Sequence, residues 1–143
     1  MAKYLKHYWK KNGSWLTTPG TYVEQHHPEA DYPGLGVKVW MHDSDGVDVC
    51  LSEVPDSTAI STITVGSKNA VIELTETQFN SVRTPLDEAA TLSMEADNLR
   101  TEGLVAQSGG DTDTAAAKNA AADTKDTEAA AKRTEAQNAL NAL

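Results

Sequence analysis

Asp113-Thr114-Ala115-Ala116-Ala117-Lys118-Asn119 opens a segment that repeats itself every seven residues. It runs on through Ala120 to Asp126, Thr127-Glu128-Ala129-Ala130-Ala131-Lys132-Arg133 and Thr134 to Leu140. Lysine recurs at 118, 125 and 132, and alanine at 115, 122, 129 and 136, with Leu143 next in that register. Such a segment is strongly helical by propensity yet has almost nothing large to bury. Residues 113–143 are therefore expected to form an extended Ala-rich helical arm meant for another surface, which favours an assembly or interaction protein over a self-contained enzyme. The fold must come from what precedes it.

Back from the arm, Ser108-Gly109-Gly110 reads as a flexible hinge within 105–112, with Asp111 or Thr112 capping the arm. Gly103 followed by Leu104 and Val105 reads as a helix stop. From Leu86, the apolar positions Ala89, Leu92, Ala96 and Leu99 fall at three- and four-residue spacings, one helical face suited to lie across a sheet. Thr75-Glu76-Thr77-Gln78 has the form of a capping box and predicts a short helix with Phe79 and Val82 on one side, restarted at Thr84-Pro85.

The remainder reads as strands and tight turns. Val37, Val39 and Met41 alternate with Lys38, Trp40 and His42, turn through Asp43-Ser44-Asp45-Gly46, and return through Val47, Val49 and Leu51 as a hairpin. Asn12-Gly13 predicts a hairpin between 4–11 and 14–17, and Gly66 to Asn69 a third pairing between 63–65 and 70–74. Residues 18–36 hold Pro19, Gly20, Pro28, Pro33, Gly34 and Gly36 and read as a loop. The predicted class is α+β: a small antiparallel β-rich body with a packed helix over 1–104, the hinge, and the arm.

At 143 residues there is room for one modest core plus an appendage. A net charge of −9 argues against nucleic acid and anionic membranes, which reward a basic footprint. The exception is Lys3, Lys6, Lys10 and Lys11, read as solvated strand lysines that protect an edge, with a contact to an acidic neighbour as the alternative. Cys50 is the only cysteine, so no internal disulfide forms, and it reads as a small buried hydrophobe. No apolar stretch approaches the roughly 18 residues of a membrane span, and the start lacks a signal-peptide core. A cytosolic protein, or one packed into a particle assembled there, is expected.

Candidate chemistry is sparse. His26-His27-Pro28-Glu29 with Asp31, joined by His7 or His42, offers metal-ligand types but no His-x-His or His-x-x-x-His spacing, so a solvated polar loop is preferred and no metal is expected. Asp43 to Asp48 starts like a calcium loop but has its glycine fourth and Val54 at position twelve, so a hairpin turn is the better reading. Nucleophile-elbow, phosphate-loop and dinucleotide patterns are missing from the sequence, and no cofactor is expected. Asp87 and Glu88 suit a helix start.

Asp48-Val49-Cys50-Leu51-Ser52-Glu53-Val54-Pro55-Asp56, Val71 to Asn80 and the Ala/Thr/Asp/Lys arm resemble small virion-associated proteins of tailed bacteriophages, especially those of marine cyanobacteria. The resemblance covers the C-terminal two thirds and rests on style rather than a diagnostic motif. It implies a non-enzymatic structural role in a virion built in the host cytoplasm. Its partners would be capsid, neck or tail proteins, with a homo-oligomer in the particle. A transient tail-fibre or virion assembly chaperone is the alternative. The residues expected to carry contact are Ala115, Ala122, Ala129, Ala136, Leu140 and Leu143 on the arm, with Trp9, Trp15 and Trp40 as apolar anchors. Core or cross-strand packing competes for the tryptophans.

Overall fold

The structure is a computed structural model that describes residues 2–8, 36–42, 48–59 and 72–143. The Asn12–Gly13 turn, the breaker-rich loop with His26–His27, the Asp43–Gly46 turn, residues 63–71, Trp9 and Trp15 lie outside the described residues. The fold is α+β. Four strands, β1 (Ala2–Tyr8), β2 (Gly36–His42), β3 (Asp48–Pro55) and β4 (Ile72–Leu74), precede two helices, α1 (Glu76–Ser108) and α2 (Thr112–Asn141). The chain divides into two compact units, residues 1–83 with 140–143, and residues 84–139.

In the first unit the strands form an antiparallel sheet in the order β2-β3-β1-β4. The alternating pattern of 37–51 gives the expected β2–β3 pair, with a bulge between Val37 and Val39. Over Tyr4–Lys6 β1 has β3 on one edge and β4 on the other, while the expected partner at 14–17 lies outside the described residues. An interior strand must bury both faces, and β1 and β3 do so with Leu5, Val49, Cys50, Leu51 and Val54. The register puts Leu5 and His7 on one face with Ser52 and Cys50, and Tyr4 and Lys6 on the other with Glu53 and Leu51. On that second face the Tyr4 ring stacks on Phe79 with centroids 4.5 Å apart.

The capping box forms as the sequence specifies. Gln78 N–H donates to Thr75 Oγ1 at 3.1 Å, and Thr75 N–H donates back to Gln78 Oε1 at 2.9 Å. Phe79 and Val82 are buried on one side of the first turns. The helix is not short, however. It continues through Pro85 without the expected restart, although a proline inside a helix costs about 3 kcal/mol through the lost hydrogen bond to residue i−4. Pro85 and Val82 are both buried, and that burial offsets part of the cost. The division between the units falls beside this proline.

The expected stop at Gly103 is also absent, and α1 runs on to Ser108. The stop lies at Gly110, whose φ of 83° only glycine adopts without cost. Asp111 N–H bonds Ala106 O at 2.9 Å and Gly110 N–H bonds Gln107 O at 3.0 Å, the paired bonds of a Schellman ending. Asp111 then caps α2, accepting from Thr114 N–H at 3.1 Å and Thr114 Oγ1 at 2.7 Å. The Thr114 hydroxyl and amide hold the Asp111 carboxyl below its usual range. The segment expected as a long hinge is thus helix on both sides of a three-residue turn.

Candidate interaction surface

Within residues 84–139 the two helices lie antiparallel, and the alanine column closes the gap between them. Ala115, Ala122, Ala129 and Ala136 on α2 are buried, as are Ala89, Ala96 and Gly103 on α1. Both columns step by seven, so small residues meet small residues along the pair. A Cβ on Gly103 would lie 2.9 Å from Asn119 Oδ1 and 3.5 Å from Ala115 O, which shows how near the backbones come. The same step of seven places three ion pairs along one flank: Glu88–Lys132 at 3.0 Å, Glu95–Lys125 at 3.0 Å and Glu102–Lys118 at 2.9 Å.

On the opposite flank Arg100 pairs with both Asp123, at 2.9 Å, and Asp126. Arg133 donates to Ser93 Oγ at 2.7 Å. The two carboxylates raise the Arg100 pKa, Asp126 first. Glu95 raises that of Lys125, and Glu88, followed by Glu135, that of Lys132. Besides Glu88 on α1, Lys132 reaches Glu135 in its own helix at 3.4 Å. Leu92 sits in a shallow groove of about 520 Å³ beside Glu88, Glu128 and Lys132.

Four of the residues expected to reach a neighbour, Ala115, Ala122, Ala129 and Ala136, are therefore withdrawn from the surface by α1. The physical reason is that a narrow alanine stripe satisfies itself against another narrow stripe, and Ala89, Ala96 and Gly103 supply one in the same chain. The face of Ala89, Leu92, Ala96 and Leu99, expected to cover the sheet, has α2 for its partner. What the hairpin does expose is Met94, Leu104 (67%) and Val105 (69%).

The last two expected arm residues belong to the sheet unit. Leu140 is 2% exposed, and Leu140–Leu143 group with residues 1–83. Lys6 Nζ donates to the main-chain oxygen of Leu143 at 3.2 Å. Lys6 is 8% exposed and sits mid-sheet, not on an edge as expected for a solvated lysine. Lys3 Nζ donates to Thr58 O at 3.0 Å. Trp40 is half-buried on β2 opposite Cys50.

The other sheet face carries a polar group that sequence reasoning had assigned only to a speculative metal cluster. His7 is fully buried, its Nε2 2.8 Å from Ser52 Oγ, and its Nδ1 has no hydrogen-bond partner. Burial pushes its pKa down to about 4. Cys50, directly opposite His7, is buried, and burial followed by Asp48 pushes its thiol up to about 12, so it is inert as a nucleophile. His42 Nε2 lies 2.9 Å from Asp48 Oδ1 across β2 and β3. Among the described residues no cluster of three His, Cys, Asp or Glu is placed to hold a metal ion, and no helix is long and apolar enough to cross a membrane.

The paired columns were available in the sequence: Glu88, Glu95 and Glu102 share the seven-residue step of Lys118, Lys125 and Lys132, and Ala89, Ala96 and Gly103 that of the arm alanines. Lys6 carried no such signal. No protein-family model, curated protein or solved structure matches the chain.

Proposed function

We propose that this chain is a non-enzymatic structural component of a tailed-phage particle, a capsid decoration, neck or tail accessory protein. In this reading the sheet unit docks on the particle and the helical region engages a neighbour. The observation that supports it is the chemistry of the hairpin. Arg100, Lys118, Lys125, Lys132 and Arg133 all bond across it to α1 or α2 partners, so its charged groups hold a shape rather than surround a substrate. A repetitive, self-paired element of this kind suits a lattice or ring, where many copies make individually weak contacts and avidity supplies the strength.

The contact surface differs from the alanine column. It comprises the exposed Met94, Leu104 and Val105 of the hairpin. The test is the stoichiometry of the protein in purified particles. A fixed copy number that survives density-gradient purification is expected. Presence in infected-cell lysate with absence from mature particles overturns the reading in favour of a transient assembly chaperone.

A further inference from the structure

Leu92 is half-buried where the groove between α1 and α2 opens to about 520 Å³, within the range of sites that take a small ligand or a few side chains. Around it stand the carboxylates of Asp87, Glu88 and Glu128 and a single ammonium, Lys132, which is already shared between Glu88 and Glu135. An uncharged apolar occupant would strip water from three carboxylates without replacing that hydration, and an anion would be repelled. The groove therefore selects a cation carried next to an apolar side chain. The sequence has two places where basic residues stand side by side, Lys10-Lys11 and Lys132-Arg133. The second is engaged within the hairpin, on Glu88, Glu135 and Ser93. The first follows an aromatic residue, Trp9, just after β1 ends at Tyr8.

We infer that the Leu92 groove of one copy takes Trp9-Lys10-Lys11 of a second copy, with the indole against Leu92 and the ammonium groups among Asp87, Glu88 and Glu128. Charge complementarity picks out this occupant. In a chain of 21 acidic and 12 basic residues, an acidic groove with an apolar floor meets the remaining basic pair, which carries its own apolar anchor. The two surfaces differ, so the contact runs head to tail, and its repetition closes a ring or extends a row of copies. It is separate from the surface of Met94, Leu104 and Val105, and it rests on the particle role proposed above for its setting.

A charge exchange on the full chain tests it. The wild-type chain should self-associate by light scattering at low ionic strength, and at least about tenfold more weakly in about 0.5 M salt, which screens exposed charge. Lys10→Glu with Lys11→Glu, and separately Asp87→Lys with Glu128→Lys at two exposed positions, should each weaken association at least about tenfold. Their equimolar mixture should recover the wild-type level, because each variant then offers the other an opposite charge. A mixture no better than the separate variants, with both folded by circular dichroism, overturns the inference. If either variant unfolds, Trp9→Ala decides: unchanged self-association overturns the inference, as does a wild-type chain that is monomeric at low ionic strength. Recovery in the mixture by a chain that is absent from mature particles supports the contact and removes the particle role.

Discussion

Closed inside the sheet with only Ser52 as its hydrogen-bond partner among the described residues, His7 stays neutral, and that choice links stability to pH. The unfolded chain takes up a proton near the ordinary histidine value of 6.5, the folded chain only near 4. The folded pKa is depressed, so the unfolded state binds more protons throughout that window. Stability is then complete above about pH 6.5 and declines as pH falls towards 4, by about 3 kcal/mol in total. Denaturant midpoints measured between about pH 7.5 and about pH 4.5 should show this decline, and His7→Gln should flatten it. A variant with the same slope as wild type would place the proton uptake elsewhere. Gly103 offers a second test at this scale. Its would-be Cβ meets the flexible end of Asn119, so Gly103→Ala should be neutral or stabilising by up to about 1 kcal/mol through helix propensity. Gly103→Leu must instead push on the Ala115 backbone and should cost about 1–3 kcal/mol. Equal effects of the two, read from helical circular dichroism during denaturation, would contradict a close helix approach at this point.

Among the elements, the turn and the rungs set the hairpin. Gly103 and Ala115 are twelve residues apart, which on an unbroken helix would turn their faces about 120° from each other. The break at Gly109-Gly110-Asp111 resets the phase so that both small-residue columns face inward. The rungs then set the register, since sliding α2 by one or two residues unmakes all three Glu–Lys pairs together. The energy of each is small: a double-mutant cycle on Glu95→Gln and Lys125→Gln should give a coupling of about 0.2–1 kcal/mol that shrinks in high salt. A coupling above about 2 kcal/mol would mean the pair is shielded from water. The capping box, the β2–β3 hairpin and the helical arm were all legible in the sequence because each is decided by neighbouring residues. The fate of the alanine column was not, because small side chains specify a close approach without specifying who approaches. Nor was the helix through Pro85, where burial overrides a strong local breaker. The interior place of β1 was equally hidden, since its neighbours β3 and β4 are distant in sequence.

At the scale of the whole chain, the two units are not two consecutive segments, because Leu140–Leu143 belong with residues 1–83. This changes what truncation does. Had the arm been a free appendage, a chain ending at Gly110 would keep its body intact and lose only a contact with a neighbour. With Leu140 enclosed and Leu143 bonded to Lys6, the sheet unit is completed by residues that the truncation removes. Deleting 140–143 alone should already destabilise the sheet unit by about 2–5 kcal/mol, the usual cost of losing a buried leucine side chain, while the hairpin of 84–139 keeps its helicity. Cys50 provides a local reporter, because its buried thiol becomes reactive only when the sheet opens. Thiol labelling in native buffer should therefore accelerate by about thirtyfold or more in the chain ending at Ala139, with little change in helical circular dichroism. Unchanged labelling would show that the sheet unit closes without its C-terminal residues, and that the arm is an appendage after all.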